Sequence, residues 1–212
     1  MVDIQPVTVR EAQFLIDMSE KEINRAIDRG EVERVSDPAE TRHTLRLRRP
    51  ARKIGMSELL FLALEKQMHA DLTPAGRKKL YLAFKRKSAK QQTIEFGLFK
   101  VSLTDIQKGF IDRYKQLHDA KKEIMEQDGS DPVIKGTDIS AYRIAALTQG
   151  QALEHILADY PTLSKDQVQA AIAYAAAYPK AGRPYPSRSF RRAADSLADM
   201  GVFDVIETGS DA

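Results

Sequence analysis

The chain has 212 residues, a formal net charge of +3 and no cysteine. The length allows one or two small domains with cores of their own, and the absence of cysteine excludes disulfides and thiolate metal sites. The sequence starts without a basic segment followed by an apolar run, and no apolar stretch approaches the ~20 residues that cross a bilayer. We therefore expect a cytoplasmic protein with no membrane partner.

Basic residues are concentrated in three runs, at 42–53, 77–90 and 180–192, whereas the stretch after residue 194 is acidic. Residues 131–179, by contrast, are nearly balanced in charge. The balanced region is therefore a poor candidate for contact with phosphates, and the basic runs are better ones.

Two short helices are predicted near the N-terminus. Residues 8–11 (TVRE) and 19–22 (SEKE) each form the capping-box pattern that marks the start of a helix. Asp17-Met18 leaves room only for a tight turn between the helices, and Gly30 ends the second one. Two short helices joined by a tight turn are typical of a helix-turn-helix, although an ordinary helical hairpin shows the same pattern.

The polar face of the second predicted helix favours DNA binding, because asparagine and arginine side chains read base edges in the major groove. The segment also resembles the excisionase-like helix-turn-helix family in its apolar spacing and its Arg-Gly turn. The candidate DNA-binding residues here are Thr8, Arg10, Ser19, Lys21, Asn24, Arg25 and Arg29.

Residues 32–48 have strand character around a polar turn at 36–38, which predicts a wing beside the second helix. Arginines at alternate positions would line one face of such a wing, and its candidate DNA contacts are Arg42, Arg46 and Arg48. Phosphate contacts of this kind add affinity but little sequence preference. The alternative is a solvated edge strand protected by its charges.

The middle of the chain is predicted to be helical with one small hairpin. An apolar helix begins near Met56, a second begins at Thr73-Pro74 with a basic face that we expect to be solvated, and residues 93–103 form the hairpin. A long helix then runs from Thr104 to a break at residues 128–130. We interpret this section as a scaffold between the two ends of the chain.

Residues 131–179 are predicted to form a compact unit of three helices. The first helix starts near Ser140 and ends at Gly150, which suits the left-handed conformation of a helix cap. The second ends at Tyr160-Pro161, because proline cannot continue a helix, and the third begins with a capping box at Ser164. We expect this nearly neutral unit to mediate a homodimer.

The same unit carries turn, apolar and small residues at fixed spacings: Asp131-Pro132, Val133-Ile134, Gly136-Thr137, Ile139, Gly150, Ile156-Leu157, Tyr160-Pro161, Leu163, Tyr174-Ala175 and Pro179. In these positions it resembles the domain of unknown function four-three-three, which is found in VapB-type antitoxins. One departure is Asp138, where the family usually has arginine. The resemblance implies an antitoxin whose partner is a PIN-domain (VapC-like) ribonuclease, a toxin that cuts RNA with carboxylates holding Mg²⁺ or Mn²⁺. A second hypothesis is autoregulation, in which a homodimer within a larger toxin–antitoxin complex presents two N-terminal helix pairs to operator DNA.

Residues 180–212 are predicted to form a partner-binding arm. The arm begins with linker composition, KAGRPYPSRS, and continues into an amphipathic helix that cannot bury its apolar face alone. On the antitoxin interpretation, an arginine enters the toxin's carboxylate cluster, where a guanidinium makes bidentate hydrogen bonds, and apolar side chains occupy a groove. The candidate toxin-binding residues are Arg183, Arg188, Phe190, Arg191, Arg192, Leu197, Met200 and Phe203.

No catalytic pattern stands out in the sequence. The four histidines are far apart, without the paired spacing of metal ligands, and no glycine-rich phosphate loop is present. We therefore expect no enzymatic activity, no metal and no cofactor. The alternative to an antitoxin is a stand-alone DNA-binding regulator, or an excisionase-like factor, without a toxin partner.

Together these patterns predict a mainly α fold with small β-hairpins, built as an N-terminal winged helix-turn-helix plus a C-terminal three-helix domain. The predicted divisions are a DNA-binding domain at 1–53, a connecting region at 54–130, the three-helix domain at 131–179 and the arm at 180–212.

Overall fold

A computed structural model of the chain describes residues 5–35, 51–68, 70–86, 91–189 and 194. The described part is mainly helical, as predicted, with eight α-helices and three antiparallel two-stranded sheets. Within these ranges, no helix is long and apolar enough to pass through a bilayer.

The chain divides into two compact units, Met1–Lys115 and Gln116–Ala212. The first unit opens with a short strand and two helices: β1 (Val7–Thr8), α1 (Val9–Ile16) and α2 (Glu20–Asp28).

Both predicted capping boxes at the N-terminus are confirmed. The side chains of Thr8 and Ser19 each accept a hydrogen bond from the backbone N–H three residues further on, and the glutamate at that position bonds back to the cap. Asp17 joins the two helices in the left-handed conformation, with φ of 51°. Three residues, Asp17 to Ser19, connect α1 to α2, so the connection is a tight turn.

The next elements of the first unit are a second short strand and two helices: β2 (Lys53–Ile54), α3 (Met56–Gln67) and α4 (Pro74–Arg86). Strand β2 pairs antiparallel with β1, with Val7 opposite Ile54. The predicted boundary after residue 53 therefore falls inside a strand that is bonded to the start of the chain. Phe61 of α3 packs against Tyr81 and Phe84 of α4, with ring centroids 5.0 Å and 6.0 Å apart.

A hairpin and a long helix follow: β3 (Thr93–Phe96), β4 (Phe99–Ser102) and α5 (Thr104–Glu123). The hairpin is confirmed at its predicted place, with Ile94 opposite Val101 and Phe96 opposite Phe99. Gly97 has φ of 61° and allows the tight turn between the strands.

The second unit begins within α5 and continues into a small sheet made of β5 (Ile124–Met125) and β6 (Val133–Ile134). The predicted continuation of the long helix to residues 128–130 is wrong. The helix ends at Glu123, because Ile124 pairs with Ile134 and the N–H of Lys135 donates to the Glu123 carbonyl at 2.8 Å. Tertiary pairing of the buried Ile124 with the buried Ile134 therefore overrides local helix propensity.

Three helices complete the second unit: α6 (Ala141–Leu147), α7 (Leu153–Asp159) and α8 (Lys165–Ala177). Their existence and order are as predicted, and α8 begins with the predicted capping box at Ser164. Helix α6 packs on α8, with Ile144 and Leu147 buried on one side and the alanines of α8 on the other. The predicted left-handed conformation of Gly150 is wrong, since positive φ values in this unit occur at other glycines.

Candidate functional site

Helix α2 presents a basic surface on its solvent side. Lys21, Arg25 and Arg29 are exposed, whereas Ile23 and Ala26 are buried against the rest of the unit. The three cations follow each other at intervals of four residues, so they lie on one face of the helix. Arg29 also forms an ion pair with Glu31 at 3.7 Å. We call these three cations the basic face of α2; the exposed carboxylates of Glu22 and Asp28 neighbour them in the sequence.

Asn24, which the sequence suggested as a base-reading residue, is held by the protein itself. Its Nδ2 donates to the Glu20 carbonyl at 2.9 Å, and its Oδ1 accepts from Arg52 Nη1 at 3.2 Å. The same Arg52 nitrogen lies 2.7 Å from Asp28 Oδ1. Arg52 thus neutralises an acid on the exposed side of α2 and fixes the amide, a role that no local pattern indicates.

The side chains of Thr8, Ser19 and Arg10 have structural partners. Ser19 Oγ donates to Glu22 Oε2 at 2.6 Å, and the hydrogen bonds from Ser19 hold the pKa of Glu22 below its usual value. Arg10 Nε lies 3.5 Å from Glu20 Oε1, which links α1 to α2. Thr8 and Ser19 cap the two helices and Arg10 connects them, so these side chains hold the basic face of α2 in position.

The predicted wing residues Arg42, Arg46 and Arg48 lie outside the described residues. Among the described residues on either side, the Val35 N–H donates to the Lys53 carbonyl in β2 at 2.9 Å.

Residues 180–189 form a strap that packs on the second unit. At its start, Lys180 Nζ lies 2.6 Å and 2.8 Å from the two carboxylate oxygens of Asp131, and Tyr185 OH donates to Asp131 Oδ2 at 2.9 Å. The ammonium of Lys180 also sits 5.6 Å from the ring centre of Tyr142 and 5.3 Å from that of Tyr185. The contact with Lys180 lowers the pKa of Asp131, and Asp131 in turn raises the pKa of Lys180.

The strap is also attached at its other end. Ser189 is buried, its Oγ donates to Asp159 Oδ2 at 2.9 Å, and it accepts a bond from Gln151 Nε2 at 3.4 Å. A Cβ placed on Gly150 would lie 2.6 Å from the Ser187 carbonyl oxygen. Position 150 therefore requires glycine because the strap passes close to it, and not because a helix cap needs a left-handed residue. The predicted linker character of residues 180–189 is wrong for the same reason.

Of the predicted toxin-binding residues, Arg183 and Arg188 lie on the strap with exposed side chains. The others fall outside the described residues: Phe190, Arg191, Arg192, Leu197, Met200 and Phe203. Among the described residues, no three His, Asp or Glu side chains are grouped closely enough to hold a metal ion.

Comparison with known proteins identifies one region of the chain. A family model described as "Protein of unknown function (DUF433)" matches residues 125–175, from β5 into α8. The match confirms the resemblance of this unit to that domain, while the antitoxin role and the helix-turn-helix stay predictions. No curated protein and no solved structure gave a match.

Proposed function

We propose that this chain, with a domain of that family at residues 125–175, is a DNA-binding antitoxin. Its C-terminal arm inhibits a PIN-domain ribonuclease, and its N-terminal helices, organised as a winged helix-turn-helix, bind the operator of its own operon. Its role is stoichiometric binding, without catalysis and without a cofactor of its own.

The observation that carries the proposal is the strap that follows the family domain. It is fixed at both ends, with Lys180 on Asp131 and Ser189 on Asp159. Arg191 and Arg192 are two and three residues after this second attachment in the sequence, so an arm that starts from a fixed point on the domain would carry two guanidinium groups to a partner. Anchoring of this kind reduces the conformational entropy lost when a partner binds.

The chemistry of inhibition follows from the charges. A ribonuclease that holds Mg²⁺ or Mn²⁺ with several carboxylates has a cluster of negative charge once the metal leaves. A guanidinium satisfies two carboxylate oxygens at once and is never deprotonated in proteins, so arginine is better suited than lysine to replace the metal there. Leu197, Met200 and Phe203 would occupy an apolar groove beside the toxin site.

DNA binding is supported by the basic face of α2. Lys21, Arg25 and Arg29 point to solvent from a helix that starts after a tight left-handed turn. A dimer through the nearly neutral family domain would present two such faces, and its two-fold symmetry would match a palindromic operator.

Rescue of growth tests the proposal. The genes on either side of this one are first searched for a PIN-domain ribonuclease. When the chain is co-expressed with that ribonuclease, we expect growth to be restored. The double variant Arg191→Glu with Arg192→Glu should abolish rescue, because two carboxylates would then face the carboxylates of the toxin. The matched control reverses the charge of two exposed lysines on α5, Lys108→Glu with Lys115→Glu. This variant should rescue growth as well as the original chain does.

Two results would refute the antitoxin role: rescue that is undiminished by the arm variant, or a neighbouring ribonuclease that the chain fails to inhibit or bind. Retained binding of operator DNA in the second case would favour the alternative, a stand-alone DNA-binding regulator.

A further inference from the structure

A groove lies between the exposed side of α4 and the hairpin β3–β4 in the first unit. Four positions of α4 line it at helical spacing: Lys79, Leu82, Ala83 and Arg86. The opposite wall is formed by β3, including Phe96, and the open groove has a volume of about 410 Å³. A concave space of this size accommodates one or two large side chains of a ligand.

Large apolar side chains are exposed around this groove. Leu82 is 44% exposed, Phe99 is 57% exposed, and Leu98 at the tip of the hairpin is fully exposed. Phe99 stacks on Phe96, with ring centroids 5.3 Å apart, so the apolar surface continues from the groove to the hairpin tip. Three of the five large apolar side chains that the described residues expose lie here, and such a grouping marks an interaction surface.

The charges of the groove are positive at its two ends. Lys79 and Arg86 are seven residues apart, which separates them by about 10 Å along the helix. The acid among the lining residues, Glu95, pairs across the hairpin with Lys100 at 3.3 Å. Two other cations of α4 are committed to internal partners, since Lys85 contacts Glu33 and Glu58 and Arg77 contacts Glu65.

We propose that this groove binds an acidic, amphipathic segment of a partner protein. The segment places one or two large apolar side chains between α4 and β3, and carboxylates about 10 Å apart meet Lys79 and Arg86. The residues of this groove are different from those of the C-terminal arm and of the basic face of α2, and the inference does not depend on the antitoxin proposal.

Other occupants fit the groove less well. A second copy bound through the same surface would place two Lys79 and two Arg86 side chains in one interface, whereas the acid that lines each groove, Glu95, already pairs with Lys100. Nucleic acid would cover the cations but would leave Leu82, Leu98 and Phe99 without apolar partners. An anionic membrane would accept the hairpin tip, but a flat lipid surface does not fill a concave groove.

Direct binding of a synthetic peptide tests the inference. The probe is a fluorescein-labelled helical peptide with two glutamates seven positions apart and leucine and phenylalanine between them; a second peptide replaces both glutamates by lysine. We expect saturable binding of the acidic peptide to the full chain. Affinity should fall at least tenfold for the lysine peptide, for Leu82→Glu and for the pair Lys79→Glu with Arg86→Glu. The pair Lys108→Glu with Lys115→Glu on α5 is the charge-matched control for the pair on α4, and it should bind the acidic peptide normally.

Thermal melting by circular dichroism shows whether each variant folds, and all substituted side chains are exposed. The inference is wrong if the acidic peptide binds no better than the lysine peptide, or if Leu82→Glu binds it normally. Binding of short duplex DNA that the pair Lys79→Glu with Arg86→Glu abolishes, or binding to phosphatidylserine vesicles that Leu98→Ser abolishes, in either case without peptide binding, would overturn the inference and assign the surface to nucleic acid or lipid.

Discussion

Replacement of Gly150 by alanine should release the strap from the second unit. On general grounds this change would stabilise the protein by about 0.4–1 kcal/mol, because alanine restricts the unfolded chain and the φ of Gly150 suits any residue. The structure predicts the opposite sign. The new Cβ would lie 2.6 Å from the Ser187 carbonyl oxygen, a backbone atom that can move away only with the strap.

The size of the effect follows from the contacts at that end of the strap. Moving Ser187 also displaces Ser189, whose hydroxyl donates to the Asp159 carboxylate. A hydrogen bond to a charged group contributes about 1.5–3 kcal/mol. Since about 1.4 kcal/mol is a factor of ten in an equilibrium constant, the open form of the strap should become at least tenfold more populated.

Hydrogen–deuterium exchange of peptides covering residues 180–189 measures this opening. Gly109→Ala is the matched control, because that glycine lies inside α5 and a Cβ there meets no atom within 4 Å. It should raise the free energy of unfolding by about 0.5–1 kcal/mol, the usual gain for alanine over glycine in a helix interior. Unchanged or slower exchange of the strap in Gly150→Ala would show that Ser187 does not approach this glycine as described.

Two further predictions follow from the charged groups. The attachment of Lys180 to Asp131 should be insensitive to pH between about 4 and 10. Contact with Lys180 lowers the pKa of Asp131 from its ordinary value of 3.8, so the stability that this carboxylate contributes is present above pH 3.8 and is lost in more acidic solution. Contact with Asp131 raises the pKa of Lys180 from its ordinary value of 10.5, so the stability that this ammonium contributes is present below pH 10.5 and is lost in more alkaline solution. Strap exchange that changes between pH 5 and 8 would contradict this assignment. In DNA-binding assays, Arg25→Ala should weaken preferred-site binding by about 1–3 kcal/mol, as expected for one lost bidentate base contact; equal weakening on random DNA would limit Arg25 to phosphate contact.

The features that sequence predicts well are those encoded within a few residues. The capping boxes at Thr8, Ser19 and Ser164 depend on a side chain and a backbone group three positions apart, so the sequence alone locates these helix starts. The hairpin at residues 93–103 is similarly local, since alternation and a glycine turn determine it.

The features that sequence missed depend on distant contacts. The end of α5 at Glu123 is determined by pairing of Ile124 with Ile134, and helical periodicity cannot reveal that. The role of Gly150 depends on Ser187, far along the chain. Composition also suggested a linker at residues 180–189, because proline, glycine and serine are common both in linkers and in ordered segments without regular secondary structure.

Thr8 belongs to both β1 and α1, so we expect the strand and the helix to open together. It is the last residue of β1, opposite Lys53, and its side chain also starts α1. The N–H of Val9, the first residue of the helix, donates to the Arg52 carbonyl at 3.1 Å. Separating the two strands therefore also removes support from the beginning of the helix, so both should open in a single cooperative event. A ligand that displaces Arg52 would therefore also destabilise the first turn of α1.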